Sequence, residues 1–168
     1  IAFETEKENN KTIIKTFQDK QPVLFCSFPL IGADAFPFPV VVNSDGFIPK
    51  EERNGIWLGN TKEGLENQKL FEESKVLFET LVNYVSLNGW KSSYNLFRTF
   101  KEEPNFPDLD LKWFKEKIQN PLKEFLLSKP LINNVEGEIK TAKEIKFPYH
   151  INKEVREELW SQLKNLNK

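Results

Sequence analysis

The sequence predicts an α+β fold: an antiparallel or mixed N-terminal sheet of about four strands packed with a long helix, followed by further helices and a short C-terminal hairpin. Three observations lead there. The apolar runs before residue 60 are short, rich in β-branched and aromatic residues, and separated by turn formers. From Thr61 the apolar spacing changes to the helical period. Near the other end, "LINNVEGEIKTAKEIKFP" returns to strand character around a Glu136-Gly137 turn. A chain of 168 residues suits one compact unit with a substantial core. We divide it into a sheet-rich part, 1–60, and a mainly helical part, 61–168, with the hairpin near 131–147.

"IAFETE" and "KTIIKTF" flank "KENN", whose Asn-Asn pair suits the positive φ of a tight hairpin turn. "PVLFCSF" is a continuous apolar run, short enough for a buried strand. In "FPFPVVV", Pro37 and Pro39 cannot donate to a ladder, so this strand starts at an edge or outside the sheet. After Thr61, Leu70, Leu77, Leu81 and Tyr84 share one helical face, with Phe71, Phe78, Val82 and Val85 beside it. Glu72, Glu73, Lys75 and Glu79 lie opposite, in a helix of about six turns that stops at Asn88-Gly89. We expect Leu70, Leu77, Leu81 and Tyr84 to be mostly buried, together with Phe25, Val41 and Trp57. A second helix runs from about Ser92 to Lys101 behind a serine cap and ends before Pro104. A third follows Asp108 and Asp110, whose carboxylates suit a helix N-terminus, and is kinked or broken at Asn120-Pro121. "INKEVREELWSQLKNL" closes the chain as a helix capped by Asn152 and burying Val155, Leu159 and Leu163.

Composition excludes several function classes. Lys plus Arg number 24 against 25 Asp plus Glu, a net charge of −1 that offers no standing field for nucleic acid or an anionic membrane. The longest uncharged stretch, Gln21 to Ala33, is too short to span a bilayer, and no signal peptide opens the chain. A single cysteine, Cys26, cannot form an internal disulfide and fits a reducing compartment, so we expect a cytoplasmic protein. The chain has no methionine, not even at position 1. Either it is a fragment or methionines were lost when the sequence was written, and its opening in mid-strand favours a fragment of something larger.

Catalytic residue types are sparse. His150 is the only histidine, so with one cysteine a zinc centre is effectively excluded. Cys26, inside an apolar strand with no base adjacent in sequence, reads as an inert buried thiol. The glycines are scattered, without a dinucleotide fingerprint or a phosphate loop. The pairs Glu51-Glu52 and Glu102-Glu103 read as solvated surface. Arg53 is the residue that asks for an explanation. It stands in "NSDGFIPKEERNGIW", between an apolar run and a buried aliphatic-Trp pair. It serves either as a local partner of Glu51 or Glu52, or a helix cap, or as a group that reaches a phosphate.

"VLFCSFPLIGADAFPFPVVVNSDGFIPKEERNGIW" resembles the segment that follows the nucleotide-binding domain in sacsin-type proteins of the GHKL ATPase superfamily. The matching features are Phe28-Pro29-Leu30, Phe38-Pro39-Val40-Val41-Val42, the turn from Asn43 to Phe47, Arg53, and Ile56-Trp57. The segment "KPLINNVEGEIKTAKEIKFP" is similar to the downstream part of such proteins. A more distant resemblance is to the middle domain of the ninety-kilodalton heat-shock chaperones, where a Val-Asp-Ser turn precedes a catalytic arginine and a long helix. Val42-Asn43-Ser44, Arg53 and the helix after Thr61 follow that order. The flanking positions depart: Lys50, Glu52 and Trp57 stand where those chaperones place asparagine, serine and glutamine. Only Arg53 carries over.

The resemblance implies a middle-type domain that supplies Arg53 to ATP hydrolysis on a preceding nucleotide-binding domain of the same protein. ATP and Mg would belong to that domain, with no cofactor held by this chain; client proteins are further partners, and nucleic acid and membranes are not. A guanidinium offered from a neighbouring domain stabilises the charge of a γ-phosphate in transfer. It belongs on a rigid loop, which the strand Phe38–Val42 and the anchor Ile56-Trp57 would supply. The alternatives are an interaction or scaffold module without ATP coupling, or an arm of a nucleic-acid-directed ATPase.

Overall fold

The computed structural model of the chain describes residues 1–18, 20–100, 106, 108–134 and 136–145. It is a mixed α+β fold. Strands β1 (Thr5–Glu8) and β2 (Lys11–Ile14) form an antiparallel hairpin in which Glu8 faces Lys11. Asn9 and Asn10 turn it with φ of 48° and 62°, the pair of positive values that a two-residue turn between twisted strands demands. Strands β3 (Leu24–Phe25) and β4 (Val42–Asn43) pair in parallel, two residues each. The four strands thus form two pairs, joined where Ala2 bridges Val41.

Between β3 and β4 the chain has little regular structure and is nonetheless core. Pro37 and Pro39 keep residues 36–40 out of any ladder, as expected of residues without an N–H. Phe36, Phe38 and Val40 are still in the core, at most 3% exposed. Phe38 meets Phe71 edge-on at 4.8 Å between centroids, and Phe36 meets Phe71, Phe106 and Phe114 at 5.1, 5.0 and 5.8 Å. Edge-to-face pairs of this kind place a positive ring rim on a negative face.

Helix α1 (Lys62–Leu87) begins where Thr61 Oγ1 accepts the Gly64 amide at 3.0 Å. It ends in a Schellman turn: Gly89, at φ 61°, donates to Ser86 O and Trp90 donates to Val85 O, both at 3.2 Å. Its buried face differs from the expected one. Phe71, Phe78, Val82 and Val85 are fully buried, whereas Leu77 and Tyr84 are 56% and 54% exposed and Leu70 and Leu81 are half-buried. The two apolar ridges lie one residue, about 100°, apart on the helix. Asn67 and Gln68, which share the face of Phe71, decide between them by bonding to the loop beneath. Phe25, Val41 and Trp57 are likewise half-buried instead of fully covered.

The second helical segment is a 3₁₀ helix, Ser93–Phe100, tighter than the α-helix expected there. The third runs without a break from α2 (Leu111–Trp113) through a π-helical stretch, Phe114–Gln119, into α3 (Asn120–Ser128). Asp110 caps it, accepting the Trp113 amide at 3.0 Å. The irregularity anticipated at Asn120-Pro121 is therefore a widened turn just before the proline, not a break. Its buried residues, Phe114, Ile118, Leu122 and Leu126, recur every fourth residue. In a pure α-helix that spacing drifts by about 40° per step, and the wider π turn offsets part of the drift. Strands β5 (Ile132–Asn133) and β6 (Ile139–Lys140) form the C-terminal hairpin, turned at Gly137 with φ 82°. The closing helix expected from Asn152 onward, and His150, lie outside the described residues.

Candidate functional site

Arg53 sits at the tip of a tight loop. Pro49 and Ile56 bridge its base, Lys50 N donates to Gly55 O at 2.9 Å, and Arg53 N donates to Lys50 O at 2.9 Å. Arg53 itself is exposed, with φ 54°, a conformation that costs a non-glycine residue roughly 1 kcal/mol or more. Ile56, which closes the loop, is wholly buried, and Phe47, which opens it, is 3% exposed.

The loop is clamped from helix α1. The Asn67 side chain, fully buried, accepts Ile48 N at 2.8 Å and donates to Ile48 O and Trp57 O at 2.9 Å each. Gln68 adds donations to Leu58 O at 2.9 Å and Gly59 O at 3.4 Å. These two amides satisfy the backbone of a segment paired only by isolated bridges, Pro49 with Ile56 and Leu58 with Leu109, which an apolar helix face cannot do. Gly64 allows the approach: a Cβ there would lie 2.0 Å from Gly59 O. Sequence reasoning missed this clamp. Its only trace was the pair of amides in phase with Phe71.

Lys50, three residues before the arginine, is 5% exposed. Its ammonium meets Asp108 at 2.5 Å and lies 5.4 Å from the Trp57 ring centre and 6.0 Å from that of Phe106. Asp108 thus anchors the loop instead of capping the following helix, a role Asp110 fills alone. Lys50 ties down the loop base, leaving Arg53 as the cation at its tip.

The guanidinium of Arg53 lies 4.6 Å above the ring of Phe28. Among the described residues it joins no ion pair, and neither Glu51 nor Glu52 engages it. A second loop carries Phe28. Ser27, also left-handed at φ 59°, donates its N–H to Asn43 Oδ1 at 3.1 Å and its hydroxyl to Asp45. The two loops are joined where Ile31 N donates to Arg53 O at 2.9 Å. Cys26 nearby is half-buried and donates its thiol to Phe47 O at 3.3 Å, a structural contact in place of full burial.

Chemically the arrangement offers a fixed cation on a braced loop. Among the described residues no cluster of His, Cys, Asp and Glu could hold a metal ion. No described helix is long and apolar enough to cross a membrane. No family model, curated protein or solved structure matches the chain.

Proposed function

We propose that the chain is a middle-type domain of a sacsin-like, heat-shock-chaperone-related ATPase, and that Arg53 completes ATP hydrolysis on a preceding nucleotide-binding domain. ATP and Mg belong to that other domain. One observation carries the reading: Arg53 is exposed and free of any carboxylate among the described residues, on a loop whose backbone is held by Asn67, Gln68 and Ile31. A surface arginine of merely local use would pair with Glu51 or Glu52, which stand at hand; among the described residues Arg53 pairs with neither. A cation kept unpaired and positioned is suited to an anion that arrives with a partner, where charge-assisted bidentate contacts are strong.

The test is Arg53→Ala in the full-length protein. Turnover should fall by about 1,000-fold or more, the scale of arginines that act on a transferring phosphoryl group. ATP affinity should stay within about two-fold, since the interaction is made mainly in the transition state. Arg53→Lys should recover little, because an ammonium lacks the planar fork. Normal turnover in Arg53→Ala would overturn the reading.

A second reading, an interaction module without ATP coupling, draws on the flank of α1. Val76, Leu77, Tyr84 and Leu87 are 56%, 56%, 54% and 87% exposed, an apolar stripe of the sort that marks protein contacts. Normal turnover in Arg53→Ala would favour it.

A further inference from the structure

We infer that Phe28 is the positioning residue for Arg53: its ring is the platform that keeps the guanidinium aimed out of its loop and away from Glu51 and Glu52. The inference rests on the proposed role of Arg53 for its kinetic consequence, but its geometric content stands apart from it. Arg53 Cζ is 4.6 Å from the centre of the Phe28 ring, well inside the range of a cation–π contact. An arginine side chain has many rotamers, and a flat ring under a flat cation selects few of them without consuming its hydrogen-bond donors. Among the described residues no carboxylate pairs with the five N–H donors of Arg53, which leaves them to an incoming anion.

The backbone on both sides is organised for this contact. Arg53 at φ 54° and Ser27 at φ 59° each hold a left-handed conformation that side chains rarely adopt. Such residues persist only where their surroundings over-determine them. Here Ser27 is fixed through its amide to Asn43 and its hydroxyl to Asp45, which sets the direction in which the next residue, Phe28, projects. The Ile31 amide on the Arg53 carbonyl then fixes the separation of the two loops. Phe28 is half-buried: it packs against the core and still presents part of its ring at the surface.

Two measurements test this. In the 168-residue chain, the Arg53 Hδ and Hε resonances should carry ring-current shifts. Phe28→Leu should abolish them and Phe28→Tyr should preserve them. Arg53 resonances that do not move in Phe28→Leu would overturn the inference outright, whatever Arg53 does in catalysis. In the full-length protein, Phe28→Leu should lower kcat by about ten-fold, less than the loss of the arginine itself, with KM for ATP unchanged, because misplacing a catalytic group by about an ångström weakens the transition state selectively. Phe28→Tyr should restore turnover. A folding defect in Phe28→Leu would show as a lowered thermal midpoint, whereas loss of the platform alone leaves the midpoint near that of the parent and changes only kcat. If Arg53→Ala is slow while Phe28→Leu turns over normally, the arginine reading stands and the platform falls. If Arg53→Ala turns over normally, the function proposed above falls and the resonance shifts alone decide the platform.

Discussion

In the β1–β2 hairpin each residue of the ladder pairs with one across it, yet Thr5, Glu6, Lys7 and Glu8 are all exposed. Between Gln21 and Asn60 the ladder is two residues long, yet Leu24, Leu30, Val40, Ile56 and Leu58 have no exposed surface at all. Hydrogen-bonded regularity and burial have come apart. The hairpin follows chiefly from local chemistry, a left-handed Asn-Asn turn between two short strands, and gives only Ile14 to the core. The longer stretch is stabilised by contacts far away in sequence, chiefly the aromatic cluster around Phe71 and the amide clamp from Asn67 and Gln68. Each of the two big side chains Phe71 and Phe78 contributes about 2–3 kcal/mol by leaving water. Backbone groups that such a core buries without a ladder still need partners, and side-chain amides supply them. A loop built that way can hold one residue, here Arg53, in an uncommon conformation.

Breaking the clamp should have the largest effect. Asn67→Ala leaves one N–H and two carbonyls without their partner, and should cost about 3 kcal/mol in urea unfolding. Native-state exchange should show the amides of Ile48 and Arg53 opening first, with the hairpin unaffected. An Asn67→Ala chain within error of the parent would mean that the stretch is held by packing alone.

The opposite break is smaller. Asn10→Ala removes the short polar side chain that makes φ 62° tolerable to a residue with a β-carbon, and should cost about 1 kcal/mol, felt in the β1–β2 amides and not in those of Val42 or Ser44. Asn10→Gly should be nearly neutral. A global loss of stability in Asn10→Ala would show the hairpin to be coupled to the core more tightly than its exposure implies.

The smallest effect concerns charge at the exposed turn of the half-buried β5–β6 hairpin. Glu138 is held below its ordinary value, first by its hydrogen bond with Lys140 and then by that with Asn134. A carboxylate with a depressed folded pKa adds stability above the unfolded value near 4.5 and loses it as pH falls through the folded one. Exchange protection at Asn134 and Gly137 should therefore weaken as the solution is acidified below that range. Protection that stays flat would leave the β5–β6 turn resting on its backbone bonds.

Much of the fold was legible in the sequence, because it rests on short-range chemistry. Asn9-Asn10 and Glu136-Gly137 declare their turns, Asn88-Gly89 the end of α1, Asp110 the start of the last described helix, and Pro37-Pro39 the absence of a ladder. That Arg53 stands on a loop between apolar anchors was legible for the same reason. Which ridge of α1 is buried was not. Leu77 and Tyr84 form as good a stripe on paper as Phe78 and Val85, and only the bonds from Asn67 and Gln68 to residues ten to twenty positions away select the rotation of the helix. Nor could spacing reveal that Phe28 lies beneath Arg53, 25 residues apart. By itself the sequence determined the class of the fold, its turns and caps, and the exposed place of one arginine, since each depends on neighbours within a few residues. The tertiary structure alone decided which face of α1 is covered, what braces the arginine loop and which ring supports the guanidinium, because each of these depends on how distant segments close on one another around a shared core.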